Sequence, residues 1–391
     1  MSEHHAPRLP SLRGAVRLAL EASEGLTDVT ERMHATIQSG AWPVGGAGPA
    51  RTRGVTGFVY GCVRGGIRLT RKAVDAGLSV ADAERGERAT PAVPNDQRAF
   101  LNGAFGDYLV ATDNSLATPM SLHHRGVVVD PRDPERSLRP HLHESKPTRL
   151  LILVHGLCLH EGHWQHNGHD HGAALADDHG FTPLYLRYNT GLAISATGQQ
   201  LAHLLETLLE RWRAPLEDLV IMGHSMGGLV TRSACHHALA SDLHWVKRLT
   251  KLVFLGSPHH GAPLERAGHL IDRVLQFSPY SSPISLVSKA RSAGITDLRH
   301  GRIVSTGEPV PLPPGVDCYA MAAVQGAEQR PLRDRWVGDG LVPLQSALGH
   351  HPDRERSLGI PPQQQWVGYR MDHMDLMSHP DVCAKLGEWL C

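Results

Sequence analysis

Hydrophobic and polar positions change period twice along the chain. Residues 12–38 place Leu12, Val16, Leu20, Val29, Met33 and Ile37 at helical spacing, and the breaker-rich run 40–49 ends that stretch. A second helical stretch is expected over 55–80, with Gly57, Gly61 and Gly65 four residues apart. Small residues at that spacing line one helix face and let another backbone approach. Residues 81–94 read as a charged, proline-bearing linker. From about Met120 short apolar runs alternate with helical runs, as in a sheet whose strands are joined by crossover helices. Strands are expected at 150–154, 183–187, 219–222, 252–255, 318–324 and 366–369, with helices at 199–213 and 229–240. The reading is two parts, a helical N-terminal extension over 1–115 and an α/β domain over 116–391. Between Gly261 and Gly315 lies an insertion of helical pieces and prolines, too long for a structureless loop and expected to act as a cap.

The densest chemical signal sits where the run Leu219-Val220-Ile221-Met222 gives way to helix. Gly223-His224-Ser225-Met226-Gly227, extended by Gly228, is a G-x-S-x-G turn with a strand before it and a helix after it. So sharp a turn needs glycine on both sides, and it presents the serine hydroxyl above the start of the helix. A hydroxyl is a weak nucleophile at neutral pH and needs a base, which in turn needs an orienting carboxylate. His373, directly after the last expected strand, is the candidate base; His379, before Pro380 at a helix start, is its rival. Asp339, between Gly338 and Gly340 and anchored by Leu341-Val342, is the candidate acid in preference to Asp317 and Asp372. The developing oxyanion needs two donors. The backbone N–H groups of Met226 and of Leu157, in the His155-Gly156-Leu157 turn after an early strand, are the candidates. His224, His155, Tyr188 and His259 are candidates to line the substrate pocket.

These motifs resemble the bacterial lipase/esterase branch of the α/β-hydrolases, and over about 118–391 the chain is similar to GPI-inositol-deacylase-like proteins. Leu255-Gly256-Ser257-Pro258-His259-His260-Gly261 is similar to the G-[ST]-P-H-x-G run of those lipases, and the motifs around Asp339 and His373 resemble their acid and base motifs. The resemblance implies an α/β-hydrolase fold, a mostly parallel central sheet with helices on both faces, and cleavage of a carboxylic ester in a small molecule or lipid without a cofactor. The same side chains would serve a thioesterase, an amide or polyhydroxyalkanoate hydrolase, or an acyltransferase. A lipid- or granule-surface binder with a vestigial hydrolase fold is the alternative of another class. Some of the lipases hold calcium beside the histidine; Asp375 is suitably placed, but no partner carboxylate is evident and no metal is assigned.

Charge and cysteine content narrow the context. Thirty-nine basic and 39 acidic residues cancel, so the global field of a nucleic-acid binder is missing. The exception is local: Arg51 to Lys72 holds no acid, which makes 51–80 the candidate contact with a membrane or granule surface. Six scattered cysteines without a C-x-x-C pair fit reduced thiols rather than a disulfide framework. With Arg13 and Arg17 interrupting the only apolar N-terminal run, the expected location is cytoplasmic. Six histidines crowd 160–179, a cluster able to bind zinc, but His160-Glu161-Gly162-His163 is one residue too short for H-E-x-x-H; the segment reads as a pocket rim or an ordinary surface loop, with metal binding left open.

Overall fold

In a computed structural model of the chain, the described residues are 93–139, 148–262, 292–327 and 338–391, with isolated positions between 20 and 70. The chain divides into two units by contact. The first comprises residues 1–93 and 114–116; its described positions in 20–31 and 60–70 are helical. There Arg64 pairs with Asp28 at 3.0 Å and with Glu31, so this member of the basic stretch is neutralised internally. The rest of the expected stretches at 12–38 and 55–80, and most of the linker at 81–94, lie outside the described residues.

The second unit holds residues 94–113 and 117–391. Its main elements are α1 (Asn95–Ala111), β1 (Ser121–His124), β2 (Val127–Val129), β3 (Arg149–Val154), α2 (His171–His179), β4 (Phe181–Arg187), α3 (Ile194–Arg211), β5 (Asp218–His224), α4 (Met226–Ala240), β6 (Lys251–Leu255), α5 (Ala293–His300), β7 (Asp317–Val324), β8 (Gln365–Tyr369) and α6 (Pro380–Leu390). The eight strands form one sheet in the order β2-β1-β4-β3-β5-β6-β7-β8. All neighbours are parallel except β1, which runs antiparallel to β2 and β4.

Both faces of the central strands are buried, and the alternation of side chains divides them between two cores. Leu150, Ile152 and Val154 of β3, Leu219 and Ile221 of β5, and Leu252 and Phe254 of β6 face the core closed by α3 and α4. Leu151, Leu153, Val220, Met222, Val253 and Leu255 face the other, closed by Leu175 of α2 and by Val382, Leu386 and Leu390 of α6. The strands accordingly read as unbroken apolar runs in the sequence, and each expected strand is present to within two residues. The β1–β2 hairpin was not anticipated: His123 and His124 interrupt the apolar pattern of β1, and the edge strand β2 is three residues long with Val127 and Val128 exposed.

The chain passes from β3 outward to β4 and then crosses back to β5, which lies on the other side of β3. The carboxyl ends of β3 and β5 flank the point where the winding reverses, the usual place for a ligand crevice in such sheets. Of the expected cap over 261–315, residues 263–291 lie outside the described residues. Its C-terminal part joins the body through Ser292 Oγ to Gly103 O (2.7 Å), Ala293 N to Asp107 Oδ2 (3.0 Å) and Gly294 N to Gly191 O (3.1 Å). Helix α1, which the sequence reading put in the N-terminal part, thus clusters with the sheet.

Opposite the crevice, Arg149 ties the strand starts to the chain end. Its guanidinium donates to Asp218 Oδ2 (2.9 Å), His179 O (2.8 Å) and Leu390 O (2.8 Å) and stacks 4.1 Å from the Phe181 ring centre. Arg149→Ala leaves Asp218 Oδ2 and His179 O without their donor, while Leu390 O keeps Lys251 Nζ at 3.2 Å, and is expected to cost about 2 kcal/mol. Arg149→Lys keeps the charge but not the planar fork and should recover less than half of that. Urea unfolding midpoints read both; a midpoint for Arg149→Ala equal to wild type would contradict the assignment.

Candidate active site

The β5–α4 turn is built as its glycines require. Ser225 has φ 53° and ψ −122°, a backbone region costly for a side chain with a Cβ. It is held there by crowding. A Cβ on Gly223 would lie 2.5 Å from Gly228 N, and one on Gly227 would lie 2.1 Å from Val154 O. Ser225 N–H donates to Leu255 O at 2.8 Å, which ties the turn to β6. Ser225 itself is buried, and the N–H groups of Met226 and Leu157 find no acceptor among the described residues. Gly156 lies against the serine, where a Cβ would come within 3.0 Å of Ser225 Cβ. The loops after β3 and β5 therefore meet at Gly156 and Ser225.

Asp339 sits at the tip of a loop whose neighbours Gly338 (φ 58°) and Gly340 (φ 92°) both occupy the left-handed region. Its Oδ1 accepts the N–H groups of Leu341 (2.9 Å) and Val342 (2.8 Å), and its carbonyl accepts Gln325 Nε2 (3.1 Å). Oδ2 lies 2.6 Å from His373 Nδ1, and both side chains are almost fully buried. A carboxylate can only accept, so the imidazole carries its proton on Nδ1 and keeps a lone pair on Nε2. Nε2 has no hydrogen-bond partner among the described residues, Ser225 Oγ included. The ring stands over Gly256, where a Cβ would come 3.1 Å from Cε1 and Nδ1. Asp339 and His373 are thus brought together, on the same end of the sheet as Ser225.

The rival residues have other work. His379 caps α6, its Nδ1 accepting Asp381 N–H at 3.2 Å. Asp317 starts β7 at the opposite end of the sheet. Asp372 accepts the N–H groups of Met374 (2.8 Å) and Asp375 (3.1 Å), and Asp375 returns the bond through Oδ2 to Asp372 N–H (2.7 Å), which shapes the turn after His373.

Four further side chains suggested as pocket lining are buried in the frame around the site. His224 hydrogen-bonds through Nε2 to the His373 carbonyl at 3.1 Å, and the two rings lie 4.7 Å apart. Burial, with His373 nearby, pushes the His224 imidazole well below its usual value, so it stays neutral and Nε2–H is the donor. His155 stacks on Tyr188 at 4.4 Å, Tyr188 Oη donates to His155 O at 2.7 Å, and burial lowers the His155 imidazole to about 3. His259 lies edge-on to Phe254, with Nδ1 3.4 Å from the buried Arg232.

Two supports escaped the sequence reading. Ser257 fills the space beside Gly228, where a Cβ would meet its Oγ at 2.0 Å, so the Gly256-Ser257 run buttresses the serine turn from β6. Arg187 donates to both carboxylate oxygens of Glu161, through Nε at 2.7 Å and through Nη2, and holds the 155–164 loop to the end of β4. An acid in a loop and a basic residue closing a strand give no pairing signal in one sequence.

Residues 150–306 match the family model described as PGAP1-like alpha/beta domain. No curated protein matches. Among solved structures, the chain is similar to the mature lipase BlEst2 of Bacillus licheniformis (15% identity, TM-score 0.44, covering 63% of this chain and 94% of that one). It is also similar to a thermophilic esterase from Thermogutta terrifontis (17%, TM-score 0.37, covering 63% and 90%). An esterase from Pyrococcus furiosus gives 16%, TM-score 0.40, and coverage of 62% and 82%. The architecture, an eight-stranded and mostly parallel sheet with helices on both faces and a serine at the β5–α4 turn, is the α/β-hydrolase fold.

The Glu161–Arg187 clamp makes the loop after β3 acid-sensitive. Burial alone would raise the Glu161 carboxyl, but the hydrogen bonds and charge of Arg187 outweigh it and hold the group at about 2, below the ordinary 4.5. A depressed carboxyl contributes stability that is full above its unfolded value and is lost as pH falls through the folded one. Glu161→Gln is therefore expected to unfold at lower urea than wild type at pH 7. The gap should close as pH falls from about 4.5 to about 2; a gap unchanged across that window would refute the clamp.

Proposed function

We propose that the chain is a serine hydrolase that cleaves carboxylic esters of small molecules or lipids through an acyl-enzyme on Ser225. One observation carries this reading above the others: a buried imidazole, oriented by Asp339 through Nδ1 and packed over Gly256, keeps an unengaged Nε2 on the end of the sheet that carries Ser225 in its strained turn.

The chemistry follows from the protonation state. Nε2 of His373 takes the proton as Ser225 Oγ attacks the ester carbonyl, and the imidazolium then lies against the Asp339 carboxylate. The negative charge that develops on the carbonyl oxygen is met by the N–H groups of Leu157 and Met226, the latter at the N-terminus of α4 where the helix dipole adds to it. Collapse expels the alcohol, which takes its proton from Nε2, and water repeats the sequence to release the acid. His224, neutral and bonded to the His373 carbonyl, holds the base in place without adding a positive charge beside it.

The test is reaction with a fluorophosphonate probe and with p-nitrophenyl esters of short and medium acyl chains. Wild type is expected to label at one site and to turn over. Ser225→Ala should neither label nor turn over, and His373→Ala should fall by about 10³-fold or more in kcat. Asp339→Asn, which reverses the tautomer preference, should fall by about 10⁴-fold at near-wild-type stability. Equal labelling of wild type and Ser225→Ala would remove the serine from its assigned role.

A further inference from the structure

Away from the serine, two clusters place three metal-ligating side chains within 4.8 Å of one another: Asp96 with His160 and His163, and His169 with His171 and Cys383. Which ring nitrogen is already engaged separates them. In the first cluster His160 Nδ1 accepts Gly162 N–H (3.1 Å) and His163 Nδ1 accepts His160 N–H (3.2 Å). A neutral imidazole has one lone pair, and here it is spent on the backbone, so both Nε2 atoms carry hydrogen and His160 donates to Asp96 at 2.9 Å. That cluster is a hydrogen-bonded clasp.

The second cluster is arranged the other way round. His171 is fully buried and directs Nε2 to the Leu376 carbonyl at 3.2 Å, which fixes its proton there and leaves the lone pair of Nδ1 facing His169 and Cys383. A ligating histidine is commonly oriented in this manner, with the distal nitrogen donating to a backbone carbonyl. We infer that His169, His171 and Cys383 bind a divalent transition-metal ion, zinc by preference, between the N-terminus of α2 and α6. A thiolate with two imidazoles suits zinc and excludes the oxygen-seeking magnesium and calcium.

The ring spacing is close to what zinc requires, and the Cys383 sulfur lies within 4.8 Å of the ring nitrogens. Two imidazole nitrogens on one tetrahedral zinc stand about 3.3 Å apart, and a nitrogen and a thiolate sulfur about 3.6 Å. His169 Nε2 and His171 Nδ1 are 2.9 Å apart, so the rings need to part by only about 0.4 Å. On binding, the proton of the Cys383 thiol is released to solvent, one per metal, and that of His169 moves from Nε2 to Nδ1. Three protein donors leave the fourth place to water. The ion would pin α2 to α6 next to Leu376, in the turn just after His373, whose Cδ1 lies 2.8 Å from where a Cβ on Gly256 would be. The function is structural, and it does not depend on the hydrolase reading.

The experiment uses the full chain, stripped with chelator and titrated with zinc against a chromogenic competitor, then loaded with cobalt. Wild type is expected to take up about one zinc per chain, to release about one proton per zinc, and to show a thiolate-to-cobalt charge-transfer band in the near ultraviolet. Cys383→Ser should lose that band and weaken zinc binding by at least about tenfold; His169→Gln, altered at a half-buried loop position, should weaken it similarly. Chelator should lower the Tm of wild type by several degrees and leave that of Cys383→Ser unchanged. No zinc uptake by folded wild type would overturn the inference. So would an unchanged cobalt band in Cys383→Ser, or uptake abolished by His160→Gln and not by His169→Gln.

Discussion

The turn at Ser225 is the constraint on which the other loops depend. A serine at φ 53° stores about 1–3 kcal/mol of strain, and such a conformation persists only where the surroundings over-determine it. Here they do so by leaving no volume. Gly227 presses on the last carbonyl of β3, and Gly228 presses on Ser257 of the β6 exit. The same contact that bends the turn also fixes the distance between the ends of β3, β5 and β6. From there hydrogen bonds pass outward: Ser225 N–H to Leu255 O (2.8 Å), Gly256 N–H to Met321 O (2.8 Å), and Met371 N–H to Val324 O (3.2 Å). Loops far apart in sequence are thereby indexed to one bent peptide.

Polar groups inside this frame follow a consistent logic. Every described histidine around the serine has one nitrogen committed: His373 Nδ1 to Asp339, His224 Nε2 to the His373 carbonyl, and His155 Nδ1 to Gly156 O at 3.0 Å. Burial keeps His155 and His224 neutral, so neither competes with His373 for the carboxylate. Asp339 in turn receives two backbone N–H bonds on the oxygen that does not face the imidazole, so its charge is stabilised and its orientation fixed. The pair can be dry because each of its polar atoms but one, His373 Nε2, is satisfied.

How much of this could be read in one sequence depends on range. The β5 strand, its glycine turn and α4 were legible because their information is local: an apolar run, glycines at fixed offsets, and a helical period. The loops of Asp339 and His373 were legible through order along the chain and their position after strands, and the structure joins them at 2.6 Å. The β1–β2 hairpin was not, because β1 is interrupted by two histidines and β2 is an edge strand of three residues, too short for its period to be read. The Glu161–Arg187 grip and the fit of Ser257 against Gly228 were not, because each joins residues whose proximity the sheet decides. The pocket candidates His155, Tyr188 and His259 were chosen by their place in the chain, and their near-complete burial, the first two against each other and the third against Phe254 and Arg232, is a property of packing.

The histidine-rich segment 160–179 shows the same limit at the level of single atoms. Composition presents six similar side chains with nothing to rank them, and spacing excludes only the familiar zinc helix. What divides them is the backbone. The tight turn at 160–164 brings N–H groups onto the Nδ1 atoms of His160 and His163 and consumes their lone pairs. The start of α2 instead puts a carbonyl from a turn some 200 residues away against His171 Nε2, and so turns the Nδ1 lone pair toward His169 rather than the backbone. A donor from the chain saturates an imidazole, whereas an acceptor from the chain makes a ligand of it. That rule needs no metal in view to be applied, and it turns a cluster of histidines from a compositional curiosity into two sites with opposite chemistry.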